Sequence, residues 1–224
     1  MNNAIDKYDA FFFDFDGVLV DSVDIKTSAF ADLYLPFGEE VVARVKAHHQ
    51  AHGGVSRYEK IHHYHRHYLN EDLTDQELEQ WARKFSDLVV DKVVAAPFIP
   101  GAIEFLSILQ NRQKKIFLIS ATPEAEIRRI VKKKDMMHFF REIKGAPRKK
   151  QENLIDILRH YRLSAQKCSY FGDSDQDREA AESVHMDFIP INYCDSRTGY
   201  RDFRALMPVW GLSVNTDRPS KVRS

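Results

Sequence analysis

The run Ala10-Phe11-Phe12-Phe13-Asp14-Phe15-Asp16-Gly17-Val18 decides the fold. Its four apolar residues do not alternate with polar ones, and they stop at a carboxylate. Unalternating apolar runs suit strands covered on both faces of a parallel sheet. Three more runs share this form: Lys115-Ile116-Phe117-Leu118-Ile119 before Ser120, Cys168-Ser169-Tyr170-Phe171 before Gly172-Asp173, and Phe188-Ile189-Pro190-Ile191 before Asn192. Helical patterns lie between and beside them, at 103–111, 124–134, 151–161 and 177–184. Strands alternating with helices predict an α/β fold with a parallel sheet, in which ligands bind beyond the carboxyl ends of the strands. The polar residues that end these runs are therefore the first candidates for chemistry.

The stretch from about Ser22 to Ala96 breaks the alternation. It has no buried-strand run, but it has helical periodicity, many charges and seven of the ten histidines. Pro97, Pro100 and Gly101 then punctuate the return to the α/β pattern. The expected organisation is an α/β core made of residues 1–21 and 97–214, an all-helical insertion at 22–96, and a polar tail at 215–224 that frays.

Composition narrows the function classes. The chain has 224 residues, with 33 Lys and Arg balancing 33 Asp and Glu, and 43% hydrophobic content. At ~100–200 residues per domain, one large domain or one domain with an insertion is expected. The apolar share is enough for a real core. A formal net charge of zero argues against a protein whose main work is nucleic-acid binding. The run from Arg128 to Lys134 is basic but lacks interleaved aromatics, and reads as a solvated helix face. Cys168 and Cys194 allow at most one disulfide, which favours a reducing compartment. No apolar run approaches the ~20 residues of a membrane helix, and the first nine residues do not read as a secretory signal. A soluble cytoplasmic protein, monomeric or weakly dimeric, is expected.

Four motifs carry chemistry. Asp14 and Asp16, at i and i+2 on an extended segment, point the same way, and Gly17 allows the abrupt turn that follows. Two like charges held together at a sheet edge call for a cation, and hard oxygen ligands favour Mg²⁺. In Gly172-Asp173-Ser174-Asp175-Gln176-Asp177, Asp173 and Asp177 stand at i and i+4 where a helix begins and can meet on one side. Asp175 reads as an ordinary acidic residue of a helix N-terminus. In Ser120-Ala121-Thr122-Pro123, Thr122 reads as an N-cap and Pro123 as the first helical residue; a hydroxyl followed by free N–H groups there can cradle a phosphate, although by itself the pattern fits an ordinary capped helix better. Lys150 precedes a helix among three adjacent basic residues.

Taken in this order, the four motifs resemble those of the haloacid dehalogenase (HAD) superfamily, over roughly Phe11 to Ile191. Asp14 and Asp16 match its DxD motif, Ser120 its Ser/Thr motif, Lys150 its lysine motif (with Ala146 where the family form has Ser), and Asp173 and Asp177 its GDSxxD motif. The resemblance implies a Rossmann-like core with a helical cap. It also implies a phosphatase that works through an aspartyl-phosphate: Asp14 as nucleophile, Asp16 as acid and then base, and Ser120, Ala121 and Lys150 on the phosphoryl oxygens. Asp14, Asp16 through its carbonyl, Asp173 and Asp177 would form the Mg²⁺ site. A carboxylate can attack a dianionic phosphate only where its charge is cancelled.

The carboxylate at Asp16 points to phosphate esters, because family members acting on carbon–halogen or carbon–phosphorus bonds lack it. Gly54-Val55-Ser56-Arg57 resembles a segment of β-phosphoglucomutase-like caps whose arginine grips a substrate phosphate, which Arg57 can do bidentately. Those mutases carry a histidine where this chain has Lys26, which favours hydrolysis and leaves Lys26 to face the anionic substrate. His48/His52 and His63/His67 have a spacing that can chelate a metal, but the expected reading is a partly exposed cap surface, with His52 nearest the active site. A helical lid excludes large polymers, so the expected partner is a small phosphate ester, a sugar phosphate or a phosphoglycolate-like acid. The alternatives are a sugar-phosphate mutase and a non-catalytic metabolite-binding module.

Overall fold

The computed structural model of the chain describes residues 4–192 and 199–212. Strand β1 (Ala10–Phe13) is followed by helices α1 (Val23–Tyr34), α2 (Glu39–Ala51), α3 (Arg57–Tyr64) and α4 (Asp75–Ala95). The chain then alternates: α5 (Ala102–Asn111), β2 (Lys115–Pro123), α6 (Glu124–Lys133), β3 (Glu142–Ala146), α7 (Lys150–His160), β4 (Cys168–Gly172), α8 (Asp175–Ser183), β5 (Asp187–Pro190) and α9 (Phe203–Val209). The five strands form one parallel sheet in the order β3-β2-β1-β4-β5, so the fold is α/β as expected.

The lack of alternation in β1 has a direct cause. Phe11 and Phe13 pack on one face of the sheet and Phe12 on the other, and all three are fully buried. Phe13 stacks on Phe171 with centroids 4.7 Å apart, and Phe12 on Phe117 at 4.8 Å. Each such ring contributes about 1.5–3 kcal/mol of burial. Register then fixes the site, because Phe13 lies opposite both Leu118 and Phe171. Strands β1 and β4 thus end side by side, releasing Asp14 and Asp173, while β2 runs on past them and carries Ser120 to Thr122 at the same edge.

Three details differ from expectation. Strand β3, Glu-Ile-Lys-Gly-Ala, escapes the buried-run pattern because it is an edge strand with half-exposed Glu142 and Lys144. Helix α9 follows a segment with no periodic signal. Thr122 is not an N-cap: β2 continues through Pro123, and α6 begins at Glu124 without a side-chain cap. A residue before proline favours extended backbone, and the Thr122 hydroxyl is engaged elsewhere. Cys168 is buried and free. Cys194 and the expected tail at 215–224 lie outside the described residues.

Residues 23–95 are helical or loop throughout, with no strand among them. Phe30, Tyr34, Tyr64, Phe85, Val89 and Val93 are buried there. Helix α4 starts at a capping box in which Thr74 and Glu77 satisfy each other's backbone N–H. The two connections between these helices and the sheet run side by side. Asp21 N–H donates to Pro97 O and Ile99 N–H to Leu19 O, each at 3.0 Å, with an antiparallel bridge between Val20 and Phe98.

Candidate active site

The strand ends and the helices facing them enclose a cavity of about 750 Å³. On the sheet side, Asp14 and Asp16 leave β1 together. The turn after them requires Gly17 at φ +79°, where a Cβ would collide with the Asp173 carboxylate. Asp14, Asp173 and Asp177 each offer an oxygen within 4.8 Å of the others, the one such group among the described residues. Burial, and then repulsion from Asp14 and Asp177, pushes the Asp173 carboxyl well above the usual range. Burial likewise pushes Asp14 up to about 7, against the attraction of Lys150.

Asp14 Oδ1 is buried without an aligned hydrogen bond, facing Lys150 Nζ at 3.0 Å. Three clustered carboxylates that share the one cation Lys150 keep an excess of negative charge, and their oxygens fit a hard divalent cation. Asp177 stands behind this front row and does not line the cavity. Its Oδ1 accepts from Lys150 at 2.6 Å and Tyr170 at 3.0 Å, and its Oδ2 accepts from Ser174 at 2.6 Å. Its oxygens are occupied in aiming Lys150, which sits at the start of α7. Although burial opposes it, attraction from Asp14 and Asp177 raises the Lys150 pKa above that of an ordinary lysine, so its charge is permanent.

Lys26 donates to Asp16 and, at 2.9 Å, to Thr122 Oγ1; Ser22 also donates to Asp16, at 2.6 Å. Burial pushes Asp16 up, but the charge and hydrogen bond of Lys26 outweigh it and hold the carboxyl below its ordinary value. Ala121 and Thr122 line the cavity. Ser120 does not: it is buried, and its Oγ accepts the Thr122 N–H at 3.1 Å. Thr122 is thus a site residue that the sequence reading assigned to a cap. Its signal was the i, i+2 spacing from Ser120 along one strand.

From the helical side, Gly53 and Gly54 bring a loop against the acidic turn. Gly54, at φ +76°, has space for a Cβ only 2.6 Å from Ser174 Oγ. Arg57 lines the cavity, but its guanidinium is held bidentately by Glu126 of α6 (Nη1 to Oε2 3.0 Å), and by Ser86 at 2.6 Å. The grip expected for it on a phosphate is already filled by a carboxylate. His52 is also placed differently from expectation. It does not line the cavity; its ring stacks on His48 at 4.0 Å and its Nδ1 meets His48 O at 2.9 Å, at the end of α2. His49 lines the cavity instead, bonded through Nδ1 to Lys60 Nζ at 2.9 Å. The other histidines stack (His48 on His63 at 4.2 Å, His63 on His67 at 4.6 Å) and supply no convergent donor set among the described residues.

A family model for haloacid dehalogenase-like hydrolases matches residues 8–185, and the chain belongs to that family of enzymes. It is 25% identical, over 198 residues, to a phosphoglycolate phosphatase of Pseudomonas putida, covering 81% of this chain and 68% of that protein. Solved structures of similar fold include a predicted phosphoglycolate phosphatase from Haemophilus somnus (16% identity, TM-score 0.69, 91% of this chain and 98% of that one). Another is a β-phosphoglucomutase from Clostridium difficile (18% identity, TM-score 0.71, 91% and 97%). At such identities these structures speak for the fold alone. No helix among the described residues is long and apolar enough to cross a membrane.

Proposed function

We propose that this hydrolase is a Mg²⁺-dependent phosphatase that cleaves a small phosphate ester in two displacements through Asp14. The single observation that carries the reading is the convergence of Asp14, Asp16 and Asp173 at one end of the cavity, with Lys150 behind them and its Nζ 3.0 Å from Asp14 Oδ1. Asp14 and Asp173, with the Asp16 carbonyl, would hold the metal. Bound there, Mg²⁺ would cancel the charge that otherwise repels a phosphoryl dianion from a carboxylate.

The chain's own groups supply the rest. Lys150, aimed by Asp177, neutralises and orients phosphoryl oxygens together with the Ala121 N–H. Ser120 braces the Thr122 backbone from below, and Thr122 presents its hydroxyl between Lys26 and Asp16. Asp14 attacks phosphorus and Asp16 protonates the departing oxygen; Asp16 then takes a proton from the water that hydrolyses the aspartyl-phosphate. Lys26 biases Asp16 towards the ionised form, the one this second step needs.

The roofed cavity and the relationship to a phosphoglycolate phosphatase support a small phosphorylated metabolite as substrate, turned over in the cytoplasm. The test is p-nitrophenyl phosphate turnover with Mg²⁺ and with EDTA, beside Asp14→Asn. Metal-dependent turnover lost in the variant is expected; turnover surviving in Asp14→Asn would refute the reading.

A further inference from the structure

Lys60 is a buried cation that the chemistry above does not use. It lies on α3, 2% exposed, and lines the cavity. Its Nζ meets His49 Nδ1 at 2.9 Å and lies 6.0 Å from the Phe30 ring centre, and it forms no ion pair with any described residue. An ammonium has three donors, and His49 is the one hydrogen-bond partner of the Lys60 Nζ among the described residues. Buried lysines are rare unless paired. Burial, followed by repulsion from Lys26 and Lys150, pulls the Lys60 amine down to about 7. Burial and the charge of Lys60 push His49 down to about 2, so its neutral imidazole is the acceptor. One turn earlier, Arg57 has its guanidinium taken by Glu126.

We propose that Lys60, backed by His49, is the specificity-determining cation of the helical wall and receives a second anionic group of the substrate. This rests on the phosphatase reading and narrows it: the substrate is a phosphomonoester bearing a carboxylate or a second phosphoryl group a few bonds from the ester. Such a group gives the remaining N–H donors their acceptors and Lys60 its counter-charge, at the opposite wall from the reacting phosphorus. A neutral substrate supplies no counter-charge and leaves the Lys60 donors unmatched, which is how a site rejects an analogue lacking one polar group. Arg57 ties α3 to α6 and does not compete for that anion.

The test compares 2-phosphoglycolate, ethylene glycol bisphosphate and 2-hydroxyethyl phosphate, which share a two-carbon frame and differ in the second group. The wild-type enzyme is expected to prefer one of the anionic esters by about 10- to 100-fold in kcat/KM, mostly through KM, as for a charge-assisted hydrogen bond. The preferred anion identifies the group. Lys60→Met, with Lys60→Gln as the second variant and thermal unfolding to show that each folds, is expected to reduce that preference to near unity. Calorimetric binding of the same esters to Asp14→Asn, with and without Lys60→Met, reads the interaction without turnover. Equal treatment of all three esters by the wild type, or a preference that survives both variants, overturns the assignment while leaving the phosphatase intact. p-Nitrophenyl phosphate turnover that survives in Asp14→Asn, with anion binding still lost on removing Lys60, overturns the phosphatase reading and keeps the assignment.

Discussion

The wall of the cavity built by the sheet holds Asp14, Asp16 and Asp173, with Lys150 and Asp177 set behind them; the wall built by the helices holds Lys26, Arg57, Lys60 and a neutral His49. On the sheet side, position follows from topology. Three parallel strands run in register, so the residues just past the ends of β1 and β4 meet those of β2 at the carboxyl edge of the sheet. On the helical side, position follows from packing and pairing. Arg57 and Lys60 both lie on α3 and both are buried, yet one is saturated by a carboxylate and the other is not. The reacting groups are therefore held by backbone geometry, and the recognising groups by choices among side-chain partners.

Breaking the sheet-side wall has the largest expected effect. Asp14→Asn is expected to lower kcat for p-nitrophenyl phosphate by about 10³-fold or more without shifting the melting temperature downward, since one charge leaves a repelling cluster. Gly17→Ala comes next. Its methyl would have to displace the Asp173 carboxylate at a positive φ, so Mg²⁺-dependent turnover should fall further than stability measured in denaturant. An effect on stability alone would show that the acidic turn tolerates rearrangement.

The helical wall is probed through Lys26 and Arg57. Removing Lys26 as Lys26→Met takes away the charge that holds Asp16 low, so the Asp16 pKa must rise. The acidic limb of the kcat profile is then expected to move to higher pH by about one unit, read with a substrate whose leaving group needs no proton. A limb that stays in place would detach Lys26 from the chemistry.

Arg57→Met is expected to cost about 3–5 kcal/mol by leaving Glu126 buried and unpaired, with much of this recovered in Arg57→Met/Glu126→Leu. A double-mutant cycle in urea measures it. The smallest effect belongs to the exposed pair Lys133–Asp91, which also links α6 to α4 at 2.9 Å. Asp91→Asn there should leave the denaturation midpoint unmoved.

How much was legible in the sequence follows the same division. The DxD turn, Asp173 and Lys150 could be read because each lies just past a buried apolar run or beside a helix start, where hydrophobic pattern and chemistry coincide. Strand β3 could not, because Glu142 and Lys144 interrupt its apolar run. Thr122 was misread because a threonine before proline fits a cap as well as a strand end, and only the third dimension supplies Lys26 and Asp16. The same holds for Arg57 and His52. Their residue types suit an active site, but Glu126 lies 69 residues away in sequence from Arg57, and no local pattern reveals such a partner. Lys60 gave no signal among the charges of α3, since burial of one lysine depends on how three helices meet.

The paired connections at 19–21 and 97–99 give the molecule one further property. Because both crossings are zipped to each other by backbone hydrogen bonds, the helices are joined to the sheet by a single ribbon and not by two independent tethers. A ribbon of this kind bends in one direction far more readily than it twists or stretches. Relative movement of the two parts is thereby biased towards swinging about one axis. The Arg57–Glu126 pair ties α3 to α6 at a second place and resists such a swing.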